Sequence, residues 1–123
     1  PGTGKTRVAA LLISTALRLE HQSSQSKPRV LAVTHSNGAA DVLLEALLQM
    51  GVPAVRVGRP ASVSPSVQYR TVIAMVEKVP QVICLRQKAS DMTLESHIRS
   101  AAAYELKQCA ADVYQMIVQT APV

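Results

Sequence analysis

The sequence predicts an α/β fold, in which a parallel sheet with flanking helices is followed by a long helical hairpin. Short apolar and β-branched runs without polar alternation, at 29–34 and 53–58, are typical of strands buried on both faces of a parallel sheet. Segments with apolar residues at helical spacing precede and separate these runs, so helices and strands alternate up to residue 60. From residue 67 onward the spacing is helical, which predicts the hairpin.

The first helix is predicted to follow a phosphate-binding pattern. The opening residues, PGTGKT, match the end of the loop G-x-x-x-x-G-K-[ST], whose first glycine would fall two residues before Pro1. Lys5 would bring a positive charge to the β- and γ-phosphates, and the Thr6 hydroxyl would complete the coordination of a Mg²⁺ ion. Backbone N–H groups for the phosphates would come from Gly2, Thr3 and Gly4. The pattern therefore predicts a nucleotide site at a helix N-terminus.

Two amphipathic helices are predicted on either side of the first strand. The apolar face of the first is formed by Val8, Leu11, Leu12, Ala16 and Leu19. The second lies within HSNGAADVLLEALLQMG, residues 35–51, with Ser36 or Asn37 as the N-cap and Gly51 as the left-handed stop. Its buried face is predicted to consist of Ala40, Leu43, Leu44, Leu47 and Leu48.

The hairpin is predicted to begin after a change in composition at 59–66, where two prolines and three serines break the regular pattern. Its first arm covers 67–85, with an interruption at Pro80, and its second arm covers 94–119. The second arm has an apolar seam at a spacing of three to four residues, formed by Leu94, Ile98, Ala102, Leu106, Cys109, Val113 and Ile117. This seam suits either pairing with another helix or packing on the same domain.

The composition favours a polyanionic partner only modestly. Thirteen Lys and Arg against eight Asp and Glu give a net charge of +5, but the basic residues are scattered and form no tail. The chain has no Trp or Phe and only three Tyr, so stacking of bases on aromatic side chains is poorly supported.

The cysteines and the apolar runs indicate in which cellular compartment the protein is expected. Cys84 and Cys109 lie far apart and form no CxxC pair, which favours reduced packing cysteines. The sequence shows no signal peptide and no apolar run long enough to span a bilayer. We therefore expect an intracellular protein, cytoplasmic or nuclear, without a membrane partner.

The stretch from residue 30 to residue 60, VLAVTHSNGAADVLLEALLQMGVPAVRVGRP, resembles motif Ia and its surroundings in superfamily 1 helicases. The similarity is to the branch that contains senataxin and the RNA-surveillance helicase of nonsense-mediated decay. In that branch a Ser/Thr-Asn pair precedes a helix that starts with a small-x-Asp pattern, here Ser36-Asn37 and then Asp41. The next strand of the family reads VVRVG or similar, which matches AVRVG at 54–58. His35 departs from the proline usual before the pair, as either a harmless substitution or a phosphate donor.

The resemblance implies a fold and a set of ligands. Residues 1–60 would be part of a RecA-like motor domain with a P-loop sheet, 61–120 a helical stalk-like insertion, and 121–123 the start of the next sheet strand. ATP and Mg²⁺ would be the cofactors, and Lys5 and Thr6 would serve catalysis. Ser36 and Asn37 would contact single-stranded RNA or DNA, and a second RecA-like domain of the same chain would complete the enzyme.

The position of Ser36 and Asn37 is physically consistent with such a role. They lie where a predicted strand meets a helix N-terminus, so hydroxyl, amide and free backbone N–H groups could face a phosphate. One of the two is also expected to cap the helix. Asp41 and Arg56 match the family pattern as well, but an acidic residue in a first helical turn and a polar residue on a strand have ordinary structural explanations.

We expect the chain to be an internal piece of an ATP-dependent helicase that does not hydrolyse ATP by itself. No Asp-Glu pair follows an apolar run to hold Mg²⁺ and position water, and a second domain would have to supply an arginine finger. Two alternatives stay open: an AAA-type P-loop ATPase acting on protein, and a non-catalytic helicase relic or partial gene product.

Overall fold

The computed structural model describes residues 4–23 and 27–123, and the regular elements of these residues are helices. The α-helices are α1 (Lys5–Ser23), α2 (Asn37–Gln49), α3 (Val72–Glu77), α4 (Pro80–Ser90) and α5 (Ser96–Thr120). Two single-turn 3₁₀ helices, Pro60–Ser62 and Gln68–Arg70, lie in the connection between α2 and α3.

The predicted parallel sheet, and with it the RecA-like α/β fold, is wrong: no segment of the described residues forms a β-strand. The predicted strands 29–34 and 53–58 make only isolated backbone contacts with other segments. Leu31 and Val33 are 87% and 82% exposed, so the first apolar run lies on the surface rather than between helical layers. A strand requires consecutive hydrogen bonds to a neighbour in register, and β-branched residue types do not supply that neighbour.

The limits of α2 follow the predicted signals. Ser36 is the N-cap, in extended backbone conformation, and its side-chain oxygen accepts a hydrogen bond from the Ala39 N–H. The helix ends before Gly51, whose φ of +76° lies in the left-handed region that glycine adopts without strain. Of the predicted buried face, Leu44 and Leu47 are buried, and Ala40, Leu43 and Leu48 are half-buried.

The stretch predicted to form a helical hairpin contains α3 and α4 followed by α5. Pro80 separates α3 from α4 and occupies the first turn of α4, where the missing N–H leaves no hydrogen bond unmade. The C-terminal part of the predicted apolar seam packs within the chain, because Leu106, Cys109, Val113 and Ile117 contact the core formed with α3 and α4. Leu94 precedes α5, and Ile98 is exposed. Packing on the same domain is thus the arrangement that the structure shows.

The described residues form two apolar cores. The first lies between α1, α2 and the segment after α2, and comprises Ala10, Leu44, Leu47, Val52, Ala54, Val63 and Val67. The second comprises Val72, Val76 and Val82 with the inner face of α5. Neighbouring residues of one segment serve both cores, since Ala54 is buried in the first and Val55 packs against the second.

The remaining sequence expectations concern membranes and cysteines. Over the described parts of the chain, no helix combines the length and the apolar character that a bilayer crossing requires. Cys84 is exposed, Cys109 is half-buried, and both are free thiols.

Candidate functional site

The end of the predicted phosphate loop forms the start of α1. Gly2 and Thr3 lie outside the described residues. Gly4 has a φ of +77°, which is strained for any residue with a side chain, although no atom lies within 4 Å of a Cβ built there. Its carbonyl accepts a hydrogen bond from the Val8 N–H at 2.9 Å, which is the first bond of the helix. The backbone conformation, and not the available space, is therefore the reason for glycine at this position.

Lys5 and Thr6 occupy the first turn of α1, where backbone N–H groups have no acceptor within the helix. The Lys5 side chain is exposed and Thr6 is half-buried. An ammonium group, a hydroxyl and the positive end of a helix dipole lie at one helix end, and this donor set suits a magnesium-bound polyphosphate. The described residues contain no cluster of three His, Cys, Asp or Glu side chains able to hold a metal by themselves.

The second predicted pair, Ser36 and Asn37, forms the start of α2. The structure assigns the capping role to Ser36, whose Oγ accepts from the Ala39 N–H at 3.2 Å. The Ser36 carbonyl accepts from the Thr34 hydroxyl at 2.9 Å, which fixes the chain just before the helix. Asn37 is the first helical residue, and both members of the pair are exposed.

Asn37 is joined to a polar network behind it. Its side-chain carbonyl oxygen accepts a 2.8 Å hydrogen bond from Nη2 of Arg56. Arg56 also donates from Nη1 to the Val57 carbonyl at 2.6 Å, and its Nε lies 3.5 Å from Oδ1 of Asp41. The second carboxylate oxygen of Asp41 accepts from the Ser64 N–H at 2.8 Å. The network therefore connects α2 to the segments on both sides of Gly58.

Burial makes this network different from a surface ion pair. The side chains of Arg56 and Asp41 are 18% and 10% exposed, so neither charge is fully solvated and each depends on its partner. Both residues match the family pattern, but their sequence context did not predict them as site residues. Asp41 and Arg56 are 15 positions apart in the sequence, and no rule based on local residue spacing predicts a contact at this separation.

A cavity of about 790 Å³ lies beside this network. Its apolar lining residues include Leu44 and Leu47 of α2, and its polar lining residues include Thr34, His35 and Arg56. His35 is exposed and the structure gives it no role of its own. Among the described residues of the phosphate loop, Gly4, Lys5 and Thr6 do not line this cavity. Lys5 and Thr6 begin α1, and Ser36 and Asn37 lie at the start of α2.

The chain is similar to a known protein family and to one curated protein. The model of the AAA_11 family, described as an AAA domain, matches residues 1–120. The chain is also similar to an uncharacterized ATP-dependent helicase of Methanocaldococcus jannaschii, with 32% identity over 97 residues that make up 75% of this chain. The matched region spans 14% of that relative's length. No solved structure matches the chain.

The chain belongs to the AAA_11 family, since the family model covers nearly all of it. The resemblance of residues 30–60 is thereby confirmed at the level of an AAA_11-type helicase fragment.

Proposed function

We propose that this chain is the part of an ATP-dependent helicase that binds the nucleotide phosphates and a single strand of RNA or DNA. The observation that carries the proposal is the placement of two motifs within one family match: Lys5 and Thr6 begin α1, and Ser36 and Asn37 begin α2. Each pair supplies donors at a helix N-terminus, where anions are stabilised.

The nucleotide would be ATP bound at the start of α1. Backbone N–H groups of Gly2, Thr3 and Gly4 would surround the phosphates, and Lys5 would offset their charge. The Thr6 hydroxyl would ligate Mg²⁺, which supplies charge neutralisation on the phosphate oxygens when it is bound. The left-handed conformation of Gly4 supports this role, because it begins the helix directly at the lysine.

The nucleic acid would pass the start of α2. Asn37 can donate from its side-chain amide, and the Ser36 hydroxyl can donate while its oxygen caps the helix. Contacts of this kind hold the sugar-phosphate backbone without reading the bases, as is needed in a protein that moves along a strand.

Hydrolysis and translocation would belong to a longer protein. Residues 1–60 would contribute the nucleotide and nucleic-acid contacts, and 61–120 would form the helical insertion. A second motor domain of the same protein would supply an arginine finger, and the coupling of hydrolysis to movement would arise between the two domains.

Equilibrium binding of a fluorescent ATP analogue in the presence of Mg²⁺ tests the nucleotide site. We expect the chain to bind the analogue and Lys5→Ala to weaken binding at least tenfold, on the order of one charge-assisted hydrogen bond. Lys107→Ala removes an equal charge from an exposed position on α5 and serves as the matched control. Equal effects of the two substitutions would contradict the proposed nucleotide site.

A further inference from the structure

The side chain of Arg56 is held from several directions. Its guanidinium has five N–H donors in a rigid plane, and these reach the Asp41 carboxylate, the Val57 carbonyl and the Asn37 side chain. Asp41 is held in turn by the Ser64 N–H. With 18% of its side chain exposed, Arg56 is a fixed group rather than a mobile surface charge.

This arrangement determines which way the Asn37 amide faces. The Asn37 oxygen accepts from Arg56 at 2.8 Å, and in a planar carboxamide the NH₂ group lies on the opposite side of the carbon. The reversed orientation would bring the amide N–H donors against guanidinium N–H donors, which is unfavourable. Since Asn37 is exposed, its NH₂ group is directed away from the network as a donor.

We propose that Arg56 is a positioning residue for nucleic-acid binding: it holds the Asn37 amide so that its NH₂ group donates to a phosphate of the bound strand. The proposal rests on the proposed function, and it assigns Arg56 an indirect role. Asp41 and Asn37 are four residues apart and therefore lie on the same side of α2, so one guanidinium reaches both.

A double-mutant cycle measures whether Arg56 acts through Asn37. Binding of short fluorescein-labelled oligo(U) and oligo(dT) is followed by anisotropy for wild type, Arg56→Ala, Asn37→Ala and the double variant. We expect each single substitution to weaken binding about tenfold, and the double variant to bind no more weakly than either single one. A double variant whose loss is the product of the two single losses would overturn the proposal, because Arg56 would then contribute independently of Asn37.

Two further variants separate positioning from charge. Arg56→Lys keeps the charge but cannot reach three acceptors with a planar fork, so it is expected to lose most of the affinity that Arg56→Ala loses. Arg86→Ala removes one exposed positive charge on α4 and is expected to change binding less than about twofold. Full affinity in Arg56→Lys would overturn the proposal in favour of a simple charge effect.

Nuclear magnetic resonance of the Asn37 side-chain NH₂ group gives a readout that does not depend on nucleic acid. Arg56→Ala is expected to shift these resonances and to increase the mobility of the amide, while amide resonances of the α5 backbone stay in place. Unchanged Asn37 resonances would overturn the positioning role whatever the binding data show. Wild-type protein that binds neither oligonucleotide, with an Asn37 amide that still depends on Arg56, would instead overturn the proposed function.

Discussion

The Asp41 carboxylate accepts a 2.8 Å hydrogen bond from the backbone N–H of Ser64, and thereby ties α2 to the turn beyond the 53–58 segment. The same carboxylate lies 3.5 Å from Nε of Arg56. Asp41 is the more buried member of the ion pair with Arg56. It is also the acceptor for the Ser64 N–H, which lies outside any β-strand. Stability and the geometry of the candidate site therefore depend on one side chain.

Replacement of Asp41 is expected to destabilise the fold. Asp41→Ala leaves a largely buried guanidinium and a backbone N–H without their acceptor, at a cost of about 2–4 kcal/mol in the free energy of unfolding. Urea denaturation followed by circular dichroism measures it. Asp112→Ala, which removes an exposed carboxylate from α5, is the matched control and is expected to change stability by less than about 0.5 kcal/mol. Equal losses in the two variants would contradict a structural role for the network.

Substitution of Gly58 is expected to disturb Arg56 directly. Gly58 has a φ of +148°, and a Cβ built there would lie 3.3 Å from Nη1 of Arg56. Gly58→Ala should therefore destabilise the protein by about 1–3 kcal/mol through backbone strain and displace the guanidinium. The matched control is Gly38→Ala in α2, where φ is not positive and no atom lies within 4 Å.

Thermal denaturation of the two alanine variants should give shifts of opposite sign, because alanine at Gly38 favours the helix by up to about 1 kcal/mol. A Gly58→Ala variant as stable as wild type would show that the segment adopts another backbone conformation.

The chain is expected to bind ATP without hydrolysing it. Its eight acidic residues include no adjacent Asp-Glu pair, and in the proposed mechanism the arginine finger comes from another domain. Phosphate release in the presence of Mg²⁺ and single-stranded oligonucleotide is the measurement, and a rate at background is the expected result. Magnesium-dependent hydrolysis that Lys5→Ala abolishes would contradict this expectation and place a complete ATPase site in the chain.

The turn between α4 and α5 should have a measurable acid titration. The Thr93 hydroxyl and backbone N–H both donate to Oδ1 of Asp91, at 2.6 and 2.9 Å, and hold the pKa of this carboxyl below its ordinary value of 3.8, with a smaller contribution from the charge of Arg99. A lowered pKa means that the turn is stabilised above pH 3.8 and loses this contribution as the pH falls through the folded-state pKa.

Thr93→Ala should raise the pKa of Asp91 toward 3.8, as followed by carboxyl chemical shifts. Thr120→Ala makes the same chemical change at the far end of α5 and should leave the titration of Asp91 unaltered.

The sequence signals that proved correct are local ones. The N-cap predicted at Ser36 or Asn37, the helix stop at Gly51 and the interruption at Pro80 each depend on residues within one turn of their own position. The sheet prediction was wrong for a non-local reason. The runs 29–34 and 53–58 have the composition of buried strands, but in the described residues no neighbouring segment forms consecutive backbone hydrogen bonds with them. The Arg56 network was not foreseen for a related reason: its contacts depend on how separate segments pack, which no periodicity records.

Ala54 is buried in the first core, and its neighbour Val55 packs against the second core, which affects how the molecule unfolds. The two cores are joined through the peptide unit between these residues. The helices α1 and α2 therefore cannot separate from the 53–58 segment without also exposing apolar residues of the helical hairpin to solvent. The two cores should then lose their structure in one cooperative transition.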